Sequence, residues 1–118
     1  MIQNYDDLEV YKKSYESALE AYALSKKLPK EETYGLMSQV RRASLSIPLN
    51  IAEGYGKRDS NAEFKRFLKM AKGSCDEMKV LIDFMKDLGF INGSEHGEMK
   101  STYDEIGKML YGLIKRWN

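Results

Sequence analysis

Cysteine, histidine and proline are scarce in this chain, and each shortage removes a class of function. The one cysteine, Cys75, cannot close an intramolecular disulfide and is no metal framework by itself, a usage that fits a reducing cytoplasm. The one histidine, His96, follows a turn signal, where a solvated loop or first-turn position is expected. No Glu-x-x-His motif accompanies it, so the paired motifs of a carboxylate-bridged di-iron bundle are missing. There is no glycine-rich loop followed by Lys-Ser/Thr for phosphate. No apolar run approaches the ~20 residues that cross a bilayer, and the opening MIQNYDDLEVYKK is too acidic to read as a secretory signal. An excess of one charge is also lacking. Nineteen Lys and Arg face eighteen Asp and Glu, so a net charge of +1 makes no global argument for nucleic acid or membrane. No catalytic residue, cofactor or metal is expected, and Cys75, on an apolar seam, reads as a small buried hydrophobe.

What is present is helical periodicity. With 118 residues, 42% hydrophobic and 31% charged, the chain reads as one folded domain, 1–118. A first helix is expected from about Asp6 to Lys27, capped by Asp6 or Asp7. Leu8, Tyr11, Tyr15, Ala18 and Tyr22 would form its buried seam, widened by Leu19. Leu28-Pro29 stops it. A second runs from Glu31 or Thr33 to Tyr55 on the stripe Leu36, Val40, Ala43, Ile47, Ile51, with Gly54-Tyr55-Gly56 as its end. The third is the most regular. Ser60 and Glu63 open it as a capping box, and Phe64, Leu68, Ala71, Cys75, Met78, Ile82 and Met85 alternate by four and three. Phe67, Leu81 and Leu88 would broaden that face, and Gly89 ends it. The fourth follows Asn92 and Glu95, a second capping box, and carries Met99, Tyr103, Ile106, Leu110, Leu113 and Trp117. Its glycines, Gly107 and Gly112, suggest close approach of a neighbouring helix. No segment has the period of two of a strand. Four amphipathic segments on short connections imply an all-α, antiparallel up-down-up-down four-helix bundle.

The second helix holds the irregularity. Pro48 lacks an N–H, so the carbonyl of Ser44 loses its helical donor at a cost of about 3 kcal/mol. The apolar stripe continues in phase to Ile51, so a helix kinked at Pro48 is expected rather than one that breaks at Ile47. Beside the stripe runs a polar ladder of Ser38, Arg42, Ser46, Asn50 and Glu53. Arg42 and Glu53 are too far apart to pair and would reach other helices or another subunit. Small residues, Ala43, Ser44, Ser46, Ala52 and Gly54, would allow close approach. Asn50 and Glu53 could equally satisfy loop and helix-end backbone groups.

A basic cluster overlaps this helix and the next. Arg41, Arg42, Lys57, Arg58, Lys65, Arg66, Lys69 and Lys72 face only Glu53, Asp59 and Glu63 over the same stretch. Lys65, Lys69 and Lys72 share a helix face, which is either a stripe that holds RNA or DNA phosphates or an ordinary solvated face. The tyrosines, among them Tyr34, Tyr55, Tyr103 and Tyr111, suit a core edge or subunit interface.

QVRRASLSIPLNIAEGYGKR, Gln39 to Arg58, resembles the signature of the 23S rRNA-intervening-sequence proteins. The likeness extends to DLEVYKKSYE, LPKEETYGLMSQVRRA, FKRFLKMAKGSCDEM and KDLGFI, nearly the whole chain. It implies a homopentamer with a central channel. It also implies relatedness to the accessory variability proteins of diversity-generating retroelements, strongly basic pentamers that bind a reverse transcriptase and nucleic acid. The matching signature positions are Arg41, Arg42, Ser46, Pro48, Asn50, Glu53 and Gly54, and no catalytic role comes with them. The net charge of +1 departs from the retroelement proteins. The expected protein is therefore a non-enzymatic, homo-oligomeric binding protein of the cytoplasm, with no membrane partner. Nucleic-acid contacts would come through Arg41, Lys57, Arg58, Lys65, Arg66, Lys69 and Lys72. Structural or interface roles would fall to Arg42, Ser46, Pro48, Asn50, Glu53 and Gly54.

Overall fold

The computed structural model describes residues 1–117; Asn118, the last residue of the expected domain, lies outside them. Four helices make up the fold: α1, Glu9–Ser25; α2, Leu36–Tyr55; α3, Asn61–Asp87; and α4, Gly93–Arg116. Single 3₁₀ turns, Tyr5–Asp7 and Lys30–Glu32, precede α1 and α2, and there is no strand among the described residues. The first two expected helices therefore start too early. Asn4, not Asp6 or Asp7, caps the first 3₁₀ turn, and the Asp7 carboxylate turns back to accept from the backbone N–H of Gln3 and Asn4.

α3 is the spine. α2 and α4 both pack along it, α1 packs mainly on α2, and α1 touches α4 much less. Contact partners rise along one helix as they fall along its neighbour. Gly54, Ser46 and Arg42 of α2 meet Phe67, Ser74 and Glu77 of α3; Lys79 and Asp83 of α3 meet Asp104 and Lys100 of α4. All seven seam residues of α3, Phe64 through Met85, are fully buried. The Ser60 hydroxyl accepts from the Glu63 N–H, although the Glu63 carboxylate goes to Arg66 instead of completing the box. Asn92 and Glu95 do form the reciprocal box on α4. At the end of α3, Gly89 takes φ +83°, and Phe90 and Gly89 donate to the carbonyls of Met85 and Lys86, the paired bonds that close a helix at a left-handed glycine. Leu88, at this end, is exposed rather than part of the core.

α1 is rotated relative to its expected seam. Val10, Ser14, Ser17, Ala21 and Ser25 point inward, while Tyr15, Leu19 and Tyr22 face out. Three serines can be buried because each hydroxyl donates to a carbonyl one turn back: Ser14 to Tyr11 (3.0 Å), Ser17 to Lys13 (2.8 Å) and Ser25 to Tyr22 (2.6 Å). Small inward side chains let α1 lie close to its neighbours, and the large residues are left outside.

α2 remains helical across Pro48 to Tyr55. Gly54 lies within that helix, and Gly56 ends it with φ −65°, so neither supplies the left-handed cap expected there. Of the α4 glycines, Gly107 faces Cys75 with ordinary van der Waals room for a methyl, and Gly112 faces only the Arg116 side chain. Neither marks a close helix approach.

Candidate functional site

The eight clustered cations do not form one surface. Arg41 sits between α1 and α2, where its Nε donates to Ser25 Oγ at 2.8 Å and its guanidinium lies 4.2 Å from the Tyr22 ring centroid. Arg58 covers Tyr55 at 4.1 Å and donates from Nη1 to that residue's carbonyl at 2.9 Å. Lys57 and Arg66 lie over the Phe67 ring at 5.5 and 4.5 Å. Arg66 also holds Glu63 through Nε and Nη2 at 2.9 and 3.3 Å, a bond that draws the Glu63 carboxyl below its usual range. Cations laid on aromatic rings help fix the ends of α2 and α3.

Lys65, Lys69 and Lys72 do share a row. Continued by steps of four and three it reaches Asp76, Lys79 and Asp83, and these show which side it occupies. Lys79 bonds Asp104 of α4 at 3.1 Å, and Asp83 lies 2.8 Å from His96 Nε2 and 3.0 Å from Lys100 Nζ. The hydrogen bond from His96, then that from Lys100, lowers the Asp83 pKa. His96 is thus in the first turn of α4, engaged with α3 rather than freely solvated. The lysine row runs along the α4 side of α3. Lys72 has a long contact to Asp76 (3.5 Å), while Lys65 and Lys69 form no ion pair among the described residues.

Sequence reasoning missed what borders this row on α4. Lys108 and Tyr111 line the same groove as Lys72, and Lys115 lies 5.5 Å from the Tyr111 ring. Their spacing of three and four on a helix was the available signal.

Three members of the polar ladder of α2, Arg42, Ser46 and Asn50, find partners within the chain. Arg42 Nη2 donates to Glu77 Oε2 of α3 at 2.8 Å, and Ser46 Oγ meets Ser74 Oγ at 2.6 Å. The Asn50 amide donates to the Ser46 carbonyl (2.8 Å) and hydroxyl (3.1 Å), inside the helix rather than at its end. Pro48 is buried on the same helix, and Glu53 is exposed, with no hydrogen bond or ion pair among the described residues. Arg42 and Ser46 are thus the members of the ladder that fasten α2 to α3.

Reactive groups are muted by burial. Cys75 is enclosed and donates to the Tyr103 carbonyl at 2.9 Å; burial chiefly, and Asp76 next, push its thiol up to about 11. Native protein at neutral pH is therefore expected to leave a disulfide reagent unreacted, with one equivalent released only after denaturation, as absorbance of the leaving thiolate would record. Burial also raises the Tyr103 phenol, whose hydroxyl reaches the Ser17 carbonyl at 3.3 Å. Between α1 and α4 lies a cavity of about 220 Å³ floored by Leu24, Met99 and Tyr103, with Glu20, Glu95 and Glu98 at its edge. No three His, Cys, Asp or Glu among the described residues converge as a metal site would require, and no helix is long and apolar enough to cross a membrane.

The remaining feature is a broad apolar exterior. Tyr15, Leu19 and Tyr22 of α1, Leu45 and Leu49 of α2, and Met70, Val80, Phe84 and Leu88 of α3 are each 45–59% exposed. α2, which carries Leu45 and Leu49, packs against both α1 and α3.

No curated protein matches this chain. A crystal structure of a Bacteroides thetaiotaomicron protein of unknown function from the S23 ribosomal protein family superposes with a TM-score of 0.82. It is 27% identical, and the match covers 90% of this chain and 95% of that one. The family model described as 23S rRNA-intervening sequence protein matches residues 6–112, which span all of α1, α2 and α3 and most of α4. With both its sequence and its four-helix architecture in agreement, the chain belongs to the 23S rRNA-intervening sequence protein family.

Proposed function

We propose that this protein is a non-enzymatic, homo-oligomeric bundle that acts by binding, with the outer face of α1, α2 and α3 as its self-association surface. The observation that carries this reading is the row of half-exposed large side chains across three adjacent helices. Nine large apolar side chains left half-exposed on three helices are more than scattered surface hydrophobes usually amount to, and burial against a second copy would cover them. Tyrosine suits such a face because its ring can be covered while its hydroxyl stays hydrogen-bonded. The resemblance supplies the number five and a central channel. Size exclusion with light scattering is expected to give an oligomer at micromolar concentration. Leu45→Glu with Leu49→Glu should give a monomer whose far-UV circular dichroism is unchanged. A monomeric wild-type protein overturns the reading.

A second reading is favoured by one observation, the two lysines of the α3 row, Lys65 and Lys69, that have no carboxylate partner among the described residues. In it the oligomer binds RNA or DNA backbone and serves as an accessory to a reverse transcriptase. A gene beside a reverse transcriptase and a variable repeat would support the accessory role, and a gene inside an rRNA insert would oppose it.

A further inference from the structure

The groove between α3 and α4 carries a feature that neither helix has alone. Lys72 of α3 lines it opposite Lys108 and Tyr111 of α4, Lys115 lies 5.5 Å from the Tyr111 ring, and Lys65 and Lys69 extend the Lys72 row along the same face of α3. The Tyr111 ring is 54% exposed and is not part of the core. The acids nearby are already engaged. Asp104 is held by Lys79 at 3.1 Å, Asp76 by Lys79 at 3.6 Å and by Lys72 at 3.5 Å, and Glu105 by Lys13 at 3.2 Å. Lys65, Lys69, Lys108 and Lys115 have no ion pair among the described residues. Lys108 and Lys115, unpaired among the described residues, therefore stand beside the half-exposed Tyr111 ring, with Lys72 across the groove and Lys65 and Lys69 further along its row.

We infer that this groove binds a single-stranded nucleic acid, with the lysines along its phosphates and a base stacked on Tyr111. The inference rests on the nucleic-acid reading above and gives it a location and a strand preference. Lysines alone would take duplex and single strand alike, since both offer phosphates. An unpaired base has a free face for an exposed ring, whereas a base in a duplex is already stacked, so Tyr111 favours the single strand. No side chain in the groove has the paired donors and acceptors that read a base edge, so sequence preference should be weak.

The test is fluorescence anisotropy with a labelled mixed-sequence 20-nucleotide single strand, as DNA and as RNA, against the corresponding duplex, at low and moderate salt. Wild-type protein is expected to prefer the single strand, with affinity falling as salt rises. Tyr111→Ala should reduce single-strand affinity on the order of tenfold and leave duplex affinity unchanged, whereas Tyr111→Phe should retain the preference. Lys108→Glu with Lys115→Glu should weaken both ligands. All these side chains are on the surface, and circular dichroism checks that the variants fold. If Lys65→Glu, Lys69→Glu and Lys72→Glu together abolish binding while the α4 variants bind like wild type, the groove proposal falls and the broader reading stands. If wild-type protein binds neither ligand at low salt, both fall.

Discussion

Gly54→Ala is expected to destabilise the fold by about 2 kcal/mol, although alanine is the better helix former. A Cβ at this position would lie 2.6 Å from the Phe67 Cβ, 3.2 Å from Phe64 Cδ1 and 3.4 Å from the Phe64 carbonyl oxygen. A Cβ cannot rotate away, so α2 and α3 must separate. Overpacking of this kind costs about 1–3 kcal/mol, and the 2.6 Å contact puts it at the upper end, offset by about 1 kcal/mol of helix propensity. The separation would also stretch the 2.6 Å contact between Ser46 and Ser74 two turns away. Gly73→Ala is the matched control. It sits in mid-α3, where a methyl group would meet nothing within 4 Å, so it should stabilise by about 0.5–1 kcal/mol. Urea denaturation of both variants beside wild type decides the matter. Equal and favourable shifts would mean that α2 and α3 have slack at Gly54.

Gly54 also shows what was legible in the sequence. Its small size beside Ser46 pointed to close helix packing, and its two phenylalanine neighbours lie on α3, out of reach of local pattern. The seam of α3 could be read because its large apolar residues recur at four and three and its face meets helices on both sides, although Leu88, expected to broaden that face, is exposed. α1 misled for the opposite reason. Its largest side chains are on the outside, and the serines inside are tolerated only because their hydroxyls bond the preceding turn. Hydrophobic periodicity finds the face of large residues, which in α1 is not the face buried in the bundle. The basic cluster dispersed for a simpler reason. Arg66 and Lys65 are adjacent in sequence and so about 100° apart around a helix. One lies on Phe67 and the other faces the α4 side. Lys108, which lines the groove with Lys72, comes from α4, and only the folded chain sets the two side by side.

Phe64→Ala should be the most damaging core truncation at the end of the bundle where α2, α3 and α4 meet. The Phe64 ring is fully buried, meets Trp117 edge to face at 4.6 Å and 89°, and meets Tyr55 at 6.1 Å and 84°. It also forms part of the wall against Gly54. Removing a phenylalanine from such a site costs about 3–5 kcal/mol, through lost transfer free energy, the residual cavity and the lost edge-to-face contacts. For a domain whose whole stability is on the order of 5–15 kcal/mol, that is a large share. Phe64→Leu keeps most of the volume and should cost less than half as much. Trp117 is the single tryptophan, so its emission reports this site directly. It should shift to longer wavelength in Phe64→Ala under conditions where circular dichroism still shows a helical protein, because the indole loses its cover before the bundle unfolds. A cost below about 1 kcal/mol, or an unchanged emission maximum, would mean that Trp117 is not held by Phe64. The aromatic contact would then not be what anchors the last turn of α4 and, with it, the Lys115 end of the groove.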